Sequence, residues 1–277
     1  MKRILTAAIL SLSAFHAMAA PADLTRGEIR KLAYAGDFTG LEAKLNALRE
    51  KPLVKSKDYY NLRRLMSVFE ASDPRMVAFV EAWVEAAPDS SFAHSARSFS
   101  LSRGAWSIRG EAYAKYTHPQ ALTVHHNMIQ QAIAHARRAL ELDENFIPAS
   151  DALLNQSATS RDKDEILQTL DRVMAHQPNW GSLRRSLDMA HQGYGGTAGM
   201  LEHLCQTYAP LIPSDGPDML FRCRYYGMKR YYFSESYDMR QTMQASVAKD
   251  PEFDLSRAIG MTDQSDSHNR TDEDIAF

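Results

Sequence analysis

The chain has 277 residues, 44% of them apolar, with 32 basic and 34 acidic side chains. So slight an acidic excess offers no field for a nucleic-acid backbone, and past residue 20 no run of about 18 apolar residues is available to span a bilayer. The size and apolar content suffice for one elongated domain or two compact ones with a genuine core.

The first twenty residues read as a secretory signal. Lys2 and Arg3 precede an apolar run from Ile4 to Phe15, and Ala17-Met18-Ala19 places small residues at the two positions a signal peptidase reads. Cleavage is expected after Ala19 or Ala20, giving a periplasmic or secreted protein with no membrane span. Loss of Lys2 and Arg3 from the 32 basic side chains leaves 30 against 34 acidic ones, a formal charge of −4.

Apolar positions then recur at helical spacing almost throughout, and no stretch alternates at period two for long. Leu24 to Ala35 forms a first amphipathic helix ending at Gly36; Asp37 caps a second with the face Phe38, Leu41, Leu45 and Leu48, stopped by Pro52. A third segment, Asp58 to Phe69, aligns Tyr59, Leu62, Leu65, Met66 and Phe69. Asp73-Pro74 opens a fourth helix carrying Met76, Val77, Phe79, Val80, Trp83 and Val84. Pro88-Asp89-Ser90 separates it from a fifth, expected to run from about Ser91 to Tyr116.

Ala132, Ala134, Ala136 and Ala139 mark a helix that lies close to a neighbour, followed by Asp143-Glu144-Asn145-Phe146. The next pair, Pro148 to Ser157 and Lys163 to His176, ends at Gln177-Pro178-Asn179-Trp180. Asn145 and Asn179 thus stand as equivalent helix ends at the 34-residue tetratricopeptide period. The expected fold is all-α, stacked antiparallel helix hairpins in a tetratricopeptide-like superhelix. Residues 20–210 form the repeat-like domain, 211–259 a helical extension, and 260–277 a disordered acidic tail.

Four groups of motifs occur in order: Ala82-Trp83-Val84 with Ala87-Pro88-Asp89-Ser90, then Trp106-Ser107-Ile108-Arg109-Gly110, then the alanine-rich helix, then Pro178-Asn179-Trp180-Gly181-Ser182. Over roughly residues 30 to 210 the chain resembles a family of bacterial proteins that share a helical domain of unknown function. The resemblance implies a tetratricopeptide-like domain and brings no catalytic residues. Where members carry two glycines before the serine, this chain has Gly181 alone.

Cys205 and Cys223, the only cysteines, are 18 positions apart in a chain expected in an oxidising compartment, so a single disulfide is the economical reading. A reactive thiol or a metal pair would call for a CxxC or a basic setting instead.

His94, His118, His125, His126 and His135 crowd together, but the closest pairings are adjacent or seven and more apart, and neither spacing sets two ligands on one helix face. No metal, cofactor or catalytic residue is expected. Ser182 lacks a Gly-x-Ser-x-Gly elbow and is expected to cap a helix, with the Trp180 ring covering the preceding hairpin. Gly193-Tyr194-Gly195-Gly196 reads as a flexible turn, since no strand precedes it and no Lys-Ser follows. The run from Arg222 to Tyr237 interleaves arginines with tyrosines, a composition suited to sugars, peptides or anions.

The leading expectation is a cell-envelope protein that binds a protein or peptide partner on an extended face, through Tyr59, Arg109, Tyr113, Tyr116 and Tyr194, with Arg224, Tyr225 and Arg230 as a further surface. The alternatives are an enzyme acting on an envelope polymer and a toxin-associated or immunity-type protein. The terminus Asp274-Ile275-Ala276-Phe277 also has the form a PDZ groove accepts, although chance accounts for such an ending more often. Intact-mass measurement of the protein recovered from the envelope is expected to show a chain beginning at Ala20 or Pro21; retention of Met1 would refute the export reading.

Overall fold

The computed structural model describes residues 24–49, 62–110, 116–156, 159, 162–191, 194–213 and 218–232. Every regular element among them is helical: α1 (Arg26–Tyr34), α2 (Phe38–Arg49), α3 (Pro74–Ala86), α4 (Ser91–Arg109), α5 (Pro119–Leu142), α6 (Ile147–Leu154), α7 (Lys163–His176), α8 (Trp180–Ser186), α9 (Ala198–Tyr208) and α10 (Met219–Tyr232). Short 3-10 turns occupy Ser67–Phe69, Leu187–Ala190 and Ala209–Leu211. No helix among the described residues is long and apolar enough to cross a membrane.

Local chemistry sets many of the helix starts. Thr25 and Glu28 form a reciprocal capping box at α1, and Asp37 Oδ1 accepts from Gly40 N at 2.8 Å at the entry to α2. Asp73 caps α3 with Pro74 at its first position, and Ser90 Oγ accepts from Ala93 N at 3.1 Å to start α4. The fifth helix stops earlier than expected. Gly110 takes φ +71°, a left-handed conformation that ends α4 at Arg109, well short of Tyr116.

α4 and α5 form the most extensive helix pair, and α6 lies against α4, α5, α7 and α8. Every residue of α6 is buried, and α4 buries eleven of its nineteen, including Ala93, Ala96 and Ala105 together with Ser95, Ser98, Ser100 and Ser102. Neighbours surround both helices, so neither shows a clean apolar stripe; small side chains allow the close approach instead. One hydrophobic cluster continues from Ile29 through Phe69, Trp83, Phe99, Ile133, Leu154 and Leu183 to Cys223.

Polar links fasten the elements. Trp83 Nε1 donates to Glu42 Oε1 at 2.9 Å, and Ser90 Oγ donates to the same oxygen, tying α2 to the α3–α4 junction. Arg137 grips Glu165 with two hydrogen bonds, of 2.5 and 2.7 Å, joining α5 to α7. Tyr208 Oη donates to Asp171 at 2.6 Å, joining α9 to α7.

Cys205 and Cys223 are bonded, with 5.5 Å between their Cα atoms, and link α9 to α10. The Gly193–Gly196 turn is held more firmly than a flexible turn at the residues described. His191 O accepts from both Tyr194 N and Gly196 N, Gly195 takes φ +77°, and a Cβ at Gly196 would lie 2.1 Å from the Ala190 backbone. The helix ends keep the 34-residue interval, α5 ending at Leu142 and α7 at His176, while the starts of the helices that follow, Ile147 and Trp180, are one residue closer.

Two histidines 41 positions apart meet between α4 and α5, His94 Nδ1 lying 2.9 Å from His135 Nδ1. His94 Nε2 also lies 2.9 Å from Pro88 O, which can only accept, so Nε2 carries a proton and donates there, and the two Nδ1 atoms share one hydrogen bond. Burial, with repulsion from His94 and Arg97, pushes the His135 imidazole down to about 4. Unfolded His135 takes up its proton near pH 6.5, so acidification through that window favours the unfolded chain. Wild-type protein is expected to lose on the order of 2 kcal/mol more stability than His135→Gln between about pH 7 and pH 4.5, read from urea midpoints at each pH. Parallel losses in the two proteins would contradict this assignment.

Candidate functional site

Three helices bring polar side chains to a common face. On α4, Ser95, Ser98 and Ser102 lie at spacings of three and four, on one side of the helix. On α6, Asp151 and Asn155 are one turn apart, and on α8 Ser182 and Arg185 likewise. α6 lies against both α4 and α8, so these residues make one polar stripe across the stack.

Asp151 is its centre, with 1% of its surface exposed. Its Oδ1 accepts from Ser182 Oγ at 2.9 Å, while its Oδ2 lies 3.7 Å from Arg185 Nε and 3.8 Å from Arg63 Nε. Arg185 Nη1 donates to Asn155 Oδ1 at 2.5 Å and its Nη2 lies 3.6 Å from Glu70 Oε1. The guanidinium carbon is 5.7 Å from the Phe99 ring centre, and Asn155 Nδ2 donates to Ser102 Oγ at 3.4 Å. Arg63 and Glu70 come from the 62–70 segment that crosses this face; with Asn155 they form a half-buried rim, from which the stripe runs inward to fully buried serines.

Two guanidinium groups around one carboxylate, with Glu70 balancing the second, bury charge without leaving it uncompensated. Deeper in, Ser95 Oγ, Ser98 Oγ and Gln156 Oε1 are buried with no hydrogen-bond partner. Unsatisfied groups of this kind are rare in folded proteins. All three residues are fully buried.

The residues expected from sequence are scattered. Tyr59 and Tyr113 lie outside the described residues, as does the side chain of Arg230. The Arg109 guanidinium sits 5.0 Å from the Trp106 ring centre and donates to Gly110 O at 3.2 Å. Tyr116 is 72% exposed, and Tyr194 lies on a different part of the chain, its ring 5.3 Å from that of His191. Arg224 donates to Glu202 through Nε at 3.0 Å and through Nη2, and Tyr225 faces Phe221 at 6.0 Å. Among the described residues, Arg109, Tyr194, Arg224 and Tyr225 each meet a different partner.

Ser182 also differs from expectation. Asn179 caps α8 by accepting from Ser182 N at 2.8 Å, which leaves the Ser182 hydroxyl for Asp151. Nor does Trp180 cover the preceding hairpin alone, since its ring meets Tyr226 of α10 edge-on. Among the described residues no group of three or more His, Cys, Asp or Glu side chains is arranged to hold a metal ion. The signal that would have found the stripe is the spacing Ser-x2-Ser-x3-Ser on α4, Asp-x3-Asn on α6 and its C-cap, and Ser-x2-Arg on α8.

An all-helical protein with a buried polar stripe shared by α4, α6 and α8 is thus the class defined by fold and site. The chain belongs to the family described as Domain of unknown function (DUF4034), whose model matches residues 25–248. That match reaches beyond the motifs read between residues 30 and 210 and takes in α10. No curated protein and no solved structure matches the chain.

Removing Asp151 would leave Arg63 and Arg185 facing each other without their shared carboxylate. Asp151→Ala is expected to lower stability by about 3 to 5 kcal/mol in urea unfolding, whereas Asp151→Asn, which keeps an acceptor for Ser182, loses less. Equal midpoints for Asp151→Ala and wild type would remove the carboxylate from this role.

Proposed function

We propose that the protein is an exported helical-repeat protein of the cell envelope that binds a peptide or protein partner along the inner face of its stacked helix pairs. Under this reading α4/α5 and α6/α7 are successive tetratricopeptide-like hairpins, with α4, α6 and α8 inside and α5 and α7 outside. The succession of contacts from α4 to α6 to α8 supports that arrangement, as does the near-34-residue interval between the starts of α6 and α8. Inner helices of such stacks present side chains to a ligand, whereas outer helices shield the core.

The observation that carries the reading is the polar stripe with its unsatisfied inner end. A stack held together purely for stability gains nothing from burying the Ser95 and Ser98 hydroxyls and Gln156 Oε1 without partners, because each lost hydrogen bond costs about 1 to 3 kcal/mol. A peptide backbone has donors and acceptors alternating along its length, and the half-buried rim of Arg63, Glu70 and Asn155 is where its side chains would be read. Export is supported by the basic, apolar and small-residue order of the first nineteen residues.

The double substitution Ser95→Ala/Ser98→Ala separates binding from folding. Stability is expected to stay within about 1 kcal/mol of wild type, or to rise, since the hydroxyls make no internal hydrogen bond. Capture of a saturable partner from an envelope extract, quantified against immobilised wild-type protein, is expected to fall severalfold. Undiminished capture by the double variant, or no saturable partner for wild type, would overturn the inner-face reading.

A further inference from the structure

α8 and α10 each carry an aromatic residue and an arginine one turn apart, in opposite order: Trp180 and Arg184 on α8, Arg222 and Tyr226 on α10. Residues at i and i+4 share a helix face, and where these two helices meet the pairs exchange partners. Arg222 of α10 lies over the Trp180 ring of α8, its guanidinium carbon 4.9 Å from the ring centre. Arg184 of α8 lies over the Tyr226 ring of α10 at 5.0 Å. The two rings meet edge to face at 5.7 Å. The result is a reciprocal stack of guanidinium, indole, phenol and guanidinium.

Cation–π contact positions a guanidinium over a ring face but satisfies none of its five N–H donors. Among the described residues neither Arg184 nor Arg222 forms an ion pair or a side-chain hydrogen bond, unlike Arg224 next to them, which is held by Glu202. The carboxylate of Asp218, one turn before Arg222, accepts from the backbone N–H of Leu220 through Oδ1 at 2.9 Å and forms no ion pair with Arg222. Both arginines are half-buried, as is Tyr226, and Trp180 is buried, so what this face offers outward is N–H donors on two positioned cations.

We infer that the α8–α10 face is a docking site for an acidic peptide segment, whose carboxylates are taken by the guanidinium groups of Arg184 and Arg222. The chemistry selects this occupant. A planar guanidinium matches a carboxylate with two parallel hydrogen bonds, and its stacking on a ring fixes the fork before the ligand arrives. Sugar rings need open aromatic faces to stack on; here the Trp180 ring is buried and one face of each ring already holds an arginine. Two cations on separate helices ask for two carboxylates on one flexible chain, and glutamates along a peptide supply them. This site is separate from the stripe around Asp151 and stands or falls independently of it, since one is read by the arginine substitutions below and the other by partner capture with the serine variant.

The test is fluorescence anisotropy of a labelled Gly-Glu repeat peptide titrated with full-length, disulfide-intact protein, beside the matching Gly-Gln peptide. Wild type is expected to bind the glutamate peptide saturably and the glutamine peptide not at all. Binding should weaken severalfold as salt rises from about 50 to about 300 mM, and about tenfold in Arg184→Gln/Arg222→Gln. Arg184→Lys/Arg222→Lys, which keeps the charge and loses the fork, should fall between the two. Should the glutamine variants unfold, peptide discrimination and salt dependence in the unmodified protein remain decisive. The inference is overturned by equal affinity in the glutamine double variant, by equal binding of the two peptides, or by no saturable binding of the glutamate peptide. Arginine-dependent binding of polyphosphate or polygalacturonate without binding of the glutamate peptide also overturns it and reassigns the face to an anionic polymer.

Discussion

Asp151 has almost no contact with water, and the geometry around it follows from that. A buried carboxylate is tolerated only where opposite charge and hydrogen-bond donors meet it. Here the 62–70 segment supplies Arg63 and α8 supplies Arg185 and Ser182, so elements more than a hundred residues apart in the chain converge on one side chain of α6. The apolar cluster drives collapse but accepts many similar packings. An ion pair with hydrogen bonds on both sides accepts few, and this fixes how the 62–70 segment lies on α6 and α8.

Around that point α4 and α6 are rich in small residues. Ala93, Ala96, Ala149 and Ala152, with the serines of α4, let α4 and α6 approach closely, while bulk comes from Phe92 and Phe99 of α4, Phe146 at the start of α6 and Ile133 of α5. Phe92 and Phe146 meet edge to face at 4.7 Å where α4, α5 and α6 come together. The same small residues that permit the approach leave hydroxyls facing inward, so tight packing and a polar inner surface have one origin.

Local punctuation was legible in the sequence. Asp37, Asp73-Pro74 and Ser90 cap helices where their residue types say they should, and the spacing of Cys205 and Cys223 matches a bridge across the α9–α10 turn. Boundaries decided by backbone conformation were less so: Gly110 reads equally as a tolerated interior glycine, and only its positive φ shows that α4 ends there. The polar stripe escaped notice because helical periodicity reveals which residues share a face, not which faces meet. Ser95, Asp151 and Arg185 look solvent-facing one helix at a time. For the same reason His94 and His135 looked unrelated, since their encounter depends on how α4 crosses α5.

The bridge between α9 and α10 also has a mechanical meaning. A pull on the chain beyond Tyr232 can peel α10 only as far as Cys223; from there the covalent link passes the load to Cys205 in the middle of α9. The two helices therefore yield to tension as one unit, and the resistance they offer is that of the Tyr208–Asp171 anchor and the apolar contacts beneath α9.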